Sequence, residues 1–187
     1  PTPSQTAGAA IRLPRSTHVG AVYLRVRDLE RAATFYTEVL GLERLSYAAD
    51  HALFGAGGRP LVGLIEARNA PARRRAPGLY HLALLLPDRA HLGAFLQHTV
   101  NVNARLQGAS DHAVSEAIYL ADTEGNGIEV YRDRPESEWL RQNGQVDMIT
   151  APLDARAVLG AGADMVGPFA APAGTSMGHV HLQVSSI

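Results

Sequence analysis

One pattern occurs twice in this chain. The run Ala21-Val22-Tyr23-Leu24-Arg25-Val26-Arg27-Asp28 leads into a helix-like stretch, and His81-Leu82-Ala83-Leu84-Leu85-Leu86-Pro87-Asp88 leads into another. Asp28 and Asp88 superpose at an offset of 60 residues, as do Phe35 and Phe95. Self-similarity at a fixed period means one supersecondary unit used more than once, which narrows the fold more than any local propensity. In both copies a strand-like run ends at an Asp whose carboxylate can accept from the free N–H groups of the first helical turn.

The first helix is predicted over 29–40, where Leu29, Ala32, Ala33, Phe35, Tyr36, Val39 and Leu40 form an apolar stripe and Gly41 supplies the terminating residue. The second is predicted over 89–100, with Leu92, Phe95, Leu96 and Thr99 inward. Strand-like segments follow at 43–47, 52–55 and 60–67 in the first copy, and at 103–106, 117–121 and 127–131 in the second. The polar run 122–127 reads as a hairpin turn. Each copy is therefore β-α-β-β-β, and the predicted class is α+β.

This reading divides the chain into an N-terminal tail (1–16) and one domain (17–134) made of modules at about 17–67 and 78–131. A short helix and an Ala/Gly/Pro-rich linker follow (135–177). Arg73-Arg74-Arg75 falls in the loop joining the modules and reads as a solvated turn. The final segment, 178–187, begins the strand pattern a third time, with Ser186 where Asp28 and Asp88 stand. It is expected to be the first strand of a third, truncated module, in a protein of four.

Composition narrows the chemistry. With 46% apolar residues in 187, the chain can bury a real core. A balance of 17 basic against 18 acidic residues gives no electrostatic footprint for nucleic acid or an anionic membrane, so the expected partner is a small molecule. Every basic residue is Arg, which removes Schiff-base chemistry and a P-loop lysine. Cys is absent, so any metal must be held by His, Asp and Glu. No apolar run approaches the roughly 20 residues that span a bilayer, and a cytoplasmic location is the default expectation.

Strand alternation assigns faces. Leu82, Leu84 and Leu86 face the helix, which leaves His81 on the opposite side; Ile128 and Val130 likewise leave Glu129 and Tyr131 opposite. If the two strands are neighbours, an imidazole and a carboxylate converge, as a divalent-metal site requires. For an arbitrary pair, a sheet histidine and an arginine-paired glutamate is the commoner outcome. The repeat favours the metal: the equivalent position is Ala21 in the first unit and His179 in the third, so two of three units place His there. His112, just before a strand, suits either an acid–base group beside the metal or a plain loop position. Tyr131 and Tyr23 are candidates to line the cavity or simply to fill it.

The paired modules resemble the vicinal oxygen chelate superfamily of glyoxalase I, bleomycin-resistance and fosfomycin-resistance proteins and extradiol dioxygenases. The segments 78–87, 108–117 and 125–131 look like the catechol 2,3-dioxygenase subgroup, specifically its N-terminal part. The resemblance implies cupped mixed sheets around a metal, with ligands at positions that fall on Ala21, His81 and Glu129, so the first ligand is missing. It also implies a catalytic half beginning at His179, with Fe(II) foremost as cofactor and Zn, Ni or Mn as alternatives.

Three functions follow as expectations. The first is an iron-dependent ring-cleaving dioxygenase acting on a small aromatic diol, complete only in a longer protein. The second is a glyoxalase-like lyase or isomerase using Zn or Ni. The third is a metal-free module that sequesters a small ligand, as bleomycin-resistance proteins do. A homodimer, in which the His179 strand of one chain adds to the sheet of another, is also compatible with the pattern.

Overall fold

The computed structural model describes residues 13–14, 16–71, 77–165 and 167–186. The arginine triplet at 73–75 lies outside the described residues.

The repeat folds as two modules of identical topology. The first contains β1 (Val22–Val26), α1 (Leu29–Thr34), β2 (Glu43–Tyr47), β3 (His51–Ala56) and β4 (Arg59–Glu66). The second contains β5 (Gly78–Leu85), α2 (Arg89–Asn101), β6 (Leu106–Asp111), β7 (Ser115–Ala121) and β8 (Gly127–Asp133). Strand order is β1-β4-β3-β2 in one sheet, and the second sheet contains the same arrangement as β5-β8-β7-β6. The first and last strands of each module run parallel, and the others antiparallel.

Both predicted helix caps form: Asp28 Oδ1 accepts from Arg31 N at 2.9 Å and Asp88 Oδ1 from His91 N at 3.0 Å. After Thr34 the first helix widens into a π-helical turn over Phe35–Val39 and stops at Gly41, whose φ of +64° suits a residue without a side chain. The apolar stripes of both helices and the helix-facing sides of both sheets merge into one core that includes Val26, Tyr36, Phe54, Leu64, Leu82, Leu92, Phe95, Ile118 and Ile128. Two polar contacts also join the modules: Tyr36 Oη donates to Asp122 Oδ2 at 3.1 Å, and Arg27 pairs with Glu124 at 2.7 Å.

Two expectations require correction. The strand predicted at 103–106 lies at Leu106–Asp111 instead. Asn103 takes a left-handed φ of +53° after the helix, and the polar run Gln107-Gly108-Ala109-Ser110-Asp111 is held in the sheet by pairing with β7 rather than by its own propensity.

The segment expected as a linker carries secondary structure of its own. After a short 3₁₀ turn (Glu136–Glu138), the chain forms a hairpin of β9 (Arg141–Gln142) and β10 (Gln145–Val146), then β11 (Ala151–Pro152) on the edge strand β6. Helix α3 (Ala155–Ala161) follows, with Val158 fully buried. The small residues that read as linker are packing surfaces: a side chain on Gly93 of α2 would collide with the backbone of Val158 and Gly162. The tail then forms β12 (Ser176–Gln183), which lies antiparallel on the edge of β5 and completes a six-stranded sheet, β11-β6-β7-β8-β5-β12. Among the described residues no helix is long and apolar enough to cross a membrane.

Candidate metal centre

Three strands meet at the centre of the second sheet's face away from the helix. Parallel pairing of β5 with β8 sets Ala83 opposite Glu129, and antiparallel pairing of β12 sets His179 opposite Ala83. Alternation then turns His81, Glu129 and His179 to the same side. A register shift between Met177 and His179 marks a bulge at Gly178. That glycine is required: a Cβ there would run into the phenol of Tyr131, whose ring also lies 5.2 Å from that of His179.

The three donor atoms form a near-equilateral triangle. His81 Nε2 lies 3.0 Å from Glu129 Oε2, His179 Nε2 lies 3.3 Å from the same oxygen, and the two imidazole nitrogens are 3.2 Å apart. Ligands about 2.1 Å from one ion stand about 3.0 Å apart at a right angle and about 3.4 Å apart at a tetrahedral one, so these edges fit a single first-row cation. Two imidazoles and one carboxylate on one face suit Fe(II), and are also acceptable to Zn, Ni or Mn. His81 and Glu129 are buried and His179 is half-exposed. Burial pushes the Glu129 carboxyl up, but hydrogen bonds from His179 and His81 outweigh it and hold the group at about 2. The carboxylate faces two imidazoles.

His112 is not in this triangle; it lies in the wall of the same cavity of about 890 Å³. Its Nδ1 sits 2.8 Å from the carbonyl of Ile149, which can only accept, so Nδ1 carries a proton. In the neutral ring, Nε2 is then an acceptor, and the Tyr119 hydroxyl donates to it at 2.9 Å. Burial, then the negative charge of Glu129, pushes the Tyr119 phenol up to about 12. The two side chains form a hydrogen-bonded pair whose phenol ring lies 6.0 Å from that of His81.

Of the residues singled out from the sequence, His81, Glu129 and His179 come together and His112 lines the same cavity; Tyr119 was not singled out, although Ser115, Ala117 and Tyr119 share the phase of Glu129, opposite which Tyr119 pairs. His181, Met148, Ile149 and Thr150 also line the cavity and were missed. Of the two tyrosines singled out, Tyr131 is buried beside His179, whereas Tyr23 is 64% exposed on the other sheet. Ala21 lies away from the metal ligands, in a small cavity with Arg59, Pro60 and Met177.

Two β-α-β-β-β modules with a His/Glu/His cluster on one concave sheet define a class. The chain belongs to the Glyoxalase/Bleomycin resistance protein/Dioxygenase superfamily, whose sequence profile matches residues 15–130. Over 175 residues it is 39% identical to the catechol-2,3-dioxygenase of Bacillus subtilis (strain 168), a match covering 91% of this chain and 61% of that relative's length. Among solved structures it is similar to a glyoxalase/dioxygenase from Nostoc punctiforme, with a TM-score of 0.55 at 18% identity over 68% of this chain and 99% of that one. It is also similar to a lactoylglutathione lyase from Agrobacterium tumefaciens, with a TM-score of 0.51 at 23% identity over 64% and 95%.

Proposed function

We propose that this chain carries the metal centre of an Fe(II)-dependent extradiol dioxygenase that opens a small aromatic diol with O2. The observation that carries the reading is the triangle of His81, Glu129 and His179, with edges of 3.0 to 3.3 Å. Likeness to a catechol-2,3-dioxygenase of greater length supports it, and the activity of the whole protein belongs to the same proposal.

Held by these three residues, Fe(II) would supply the redox chemistry that a reaction between a diol and O2 requires. The chain's own residues do the rest. His81, Glu129 and His179 would hold the ion, and all three line the cavity. Tyr119 and His112 manage the proton: a diol hydroxyl gives its proton to Tyr119 Oη as Tyr119 gives its own to His112 Nε2. The high pKa of Tyr119 suits a conduit, since the phenol does not ionise by itself near neutral pH. The Ile149 carbonyl keeps Nδ1 protonated and so leaves Nε2 free to receive.

The test is anaerobic loading of the chain with Fe(II), addition of catechol, and admission of O2 while oxygen uptake and the absorbance of the ring-opened product are followed. One O2 consumed per diol opened is the expected result. Stoichiometric bound iron without oxygen uptake would overturn the reading. A metal-free binding module is suggested by Ala21; His179 beside His81 and Glu129 supports the metal-dependent reading instead.

A further inference from the structure

The segment between Trp139 and Ala151 belongs to neither repeat and to neither large sheet. Its hairpin of β9 and β10 pairs only with itself, around Asn143 and Gly144 at φ of +53° and +79°. A lone two-stranded hairpin is marginally stable in water, so its position depends on what fastens it. On one side Trp139 Nε1 donates to the Arg134 carbonyl at 2.8 Å; on the other, β11 lies on β6. Between these anchors, among the described residues, the hydrogen bonds that 140–149 make to the rest of the chain all go to His112.

That fastening runs both ways. Ile149 N donates to the His112 carbonyl at 3.4 Å, His112 Nδ1 donates to the Ile149 carbonyl at 2.8 Å, and Thr150 Oγ1 lies 3.5 Å from the same nitrogen. Met148 and Ile149 line the cavity, so the segment that His112 holds is also part of the cavity wall. The other ring nitrogen accepts from Tyr119. One imidazole therefore joins the proton route at Nε2 to the wall at Nδ1. A proton arriving at Nε2 makes the ring a cation, and its bond to the Ile149 carbonyl becomes charge-assisted, roughly twice as strong as the neutral one. The carboxylates around it are otherwise engaged or distant in the sheet: Asp111, the preceding residue, pairs with Arg134 at 2.7 Å, and Glu129 stands opposite Tyr119 on β8. Asp147 is the one charged side chain between β10 and His112's partner Ile149.

We propose that residues 140–149 are a flap over the cavity, clasped by His112, and that the clasp tightens while His112 carries the proton taken from the diol. Its part in turnover rests on the diol reading above; the clasp itself does not. The diol hydroxyl loses its proton to Tyr119 Oη, Tyr119 passes its own to His112 Nε2, and Nδ1 keeps its proton throughout. The flap is held most firmly while the substrate is an anion and loosens when His112 gives the proton up.

The test is amide hydrogen exchange of Ile149, read by NMR on the full chain with Zn(II), a diamagnetic ion, in excess. Imidazoles change charge between about pH 5 and 8. After correction for intrinsic exchange, protection of the Ile149 amide is expected to be about fivefold higher at pH 5.5 than at pH 7.5, with the amide of Val158 in α3 as the reference that stays constant. His112→Gln should abolish the difference, and Tyr119→Phe, which leaves the ring and Nδ1 in place, should keep it. Equal protection at the two pH values, a difference that persists in His112→Gln, or a difference shared by Val158 would overturn the clasp and leave the diol reading to its oxygen-uptake test. Catechol added at pH 7.5 is expected to raise Ile149 protection in the parent and not in His112→Gln. A pH response without any catechol response would keep the clasp and remove its link to the substrate's proton.

Discussion

The two modules share a topology strand for strand, yet their faces away from the helix differ in kind. At the repeat offset of 60, His81 corresponds to Ala21 and Ala83 to Tyr23; the neighbour of Ala83 on the parallel strand is Glu129, whereas that of Tyr23 is Gly63. A side chain on Gly63 would collide with the ring of Tyr23. Where the second module holds an imidazole and a carboxylate, the first has a methyl group and a glycine under a phenol. The contrast extends to burial: apart from the phenol of Tyr36, the buried polar and charged side chains among the described residues lie at position 81 or later, including His81, Glu116, Asp122, Glu129 and Arg132. The scaffold is common to both copies, and the His/Glu/His cluster stands on one. The second sheet alone is extended on both edges, by β11 and by the His179 strand.

The sharpest way to break this comparison is to remove a ligand from the second module. His81→Ala should lower Fe(II) affinity beyond the roughly 100-fold that loss of a supporting hydrogen bond brings, read by metal analysis after dialysis. Tyr23→Ala in the first module should leave the metal content unchanged. Iron retained at full stoichiometry by His81→Ala would end the assignment.

Next in size is the buried carboxylate of Glu116, which accepts from Arg89 at 2.8 and 2.9 Å and pairs with Arg132 at 2.6 Å. Burial pushes it up, but the hydrogen bonds from Arg89 and Arg132 hold it below its ordinary value of 4.5. The native state then binds fewer protons than the unfolded chain, so this stabilisation is complete above about pH 4.5 and is lost as pH falls below it. Glu116→Gln is expected to cost about 3 kcal/mol at pH 7 by leaving buried arginine charge uncompensated, and to flatten the acid limb of stability measured by urea unfolding from pH 3 to 7.

Gly178→Ala tests the bulge. Overpacking against Tyr131 should cost about 2 kcal/mol and weaken metal binding through His179, and Tyr131→Leu in the same chain should recover part of both. Gly63→Ala is the counterpart in the first module; it should disturb only the exposed ring of Tyr23 and leave metal binding intact. Equal metal affinity in Gly178→Ala and the parent would remove the positioning role of that contact.

Smallest is the bond between modules. Tyr36→Phe deletes a buried hydroxyl that donates to Asp122, which keeps three other donors from the backbone of Glu124 and from Asn126. A loss of about 1 kcal/mol is expected in denaturant unfolding with metal binding unchanged.

The sequence carried the repeat, both helix caps, the helix-facing side of each strand and the shared face of His81 and Glu129. Each of these follows from local rules: an Asp before a helix has free N–H groups to cap, and a period of two assigns faces within a strand. Even the phase of His179 was readable from its place in the pattern. What the tail strand pairs with was not, because a strand's sequence leaves its neighbour open until an unpaired edge is presented in space. The edge of β5 was available, and antiparallel pairing there brought an imidazole to the position that Ala21 leaves empty in the repeat. The segment taken for a linker escaped for a related reason. Its Ala and Gly residues carry little periodic signal, and their value lies in letting α3 approach Gly93 and in carrying Ile149 to His112, contacts that exist only once the chain has folded back.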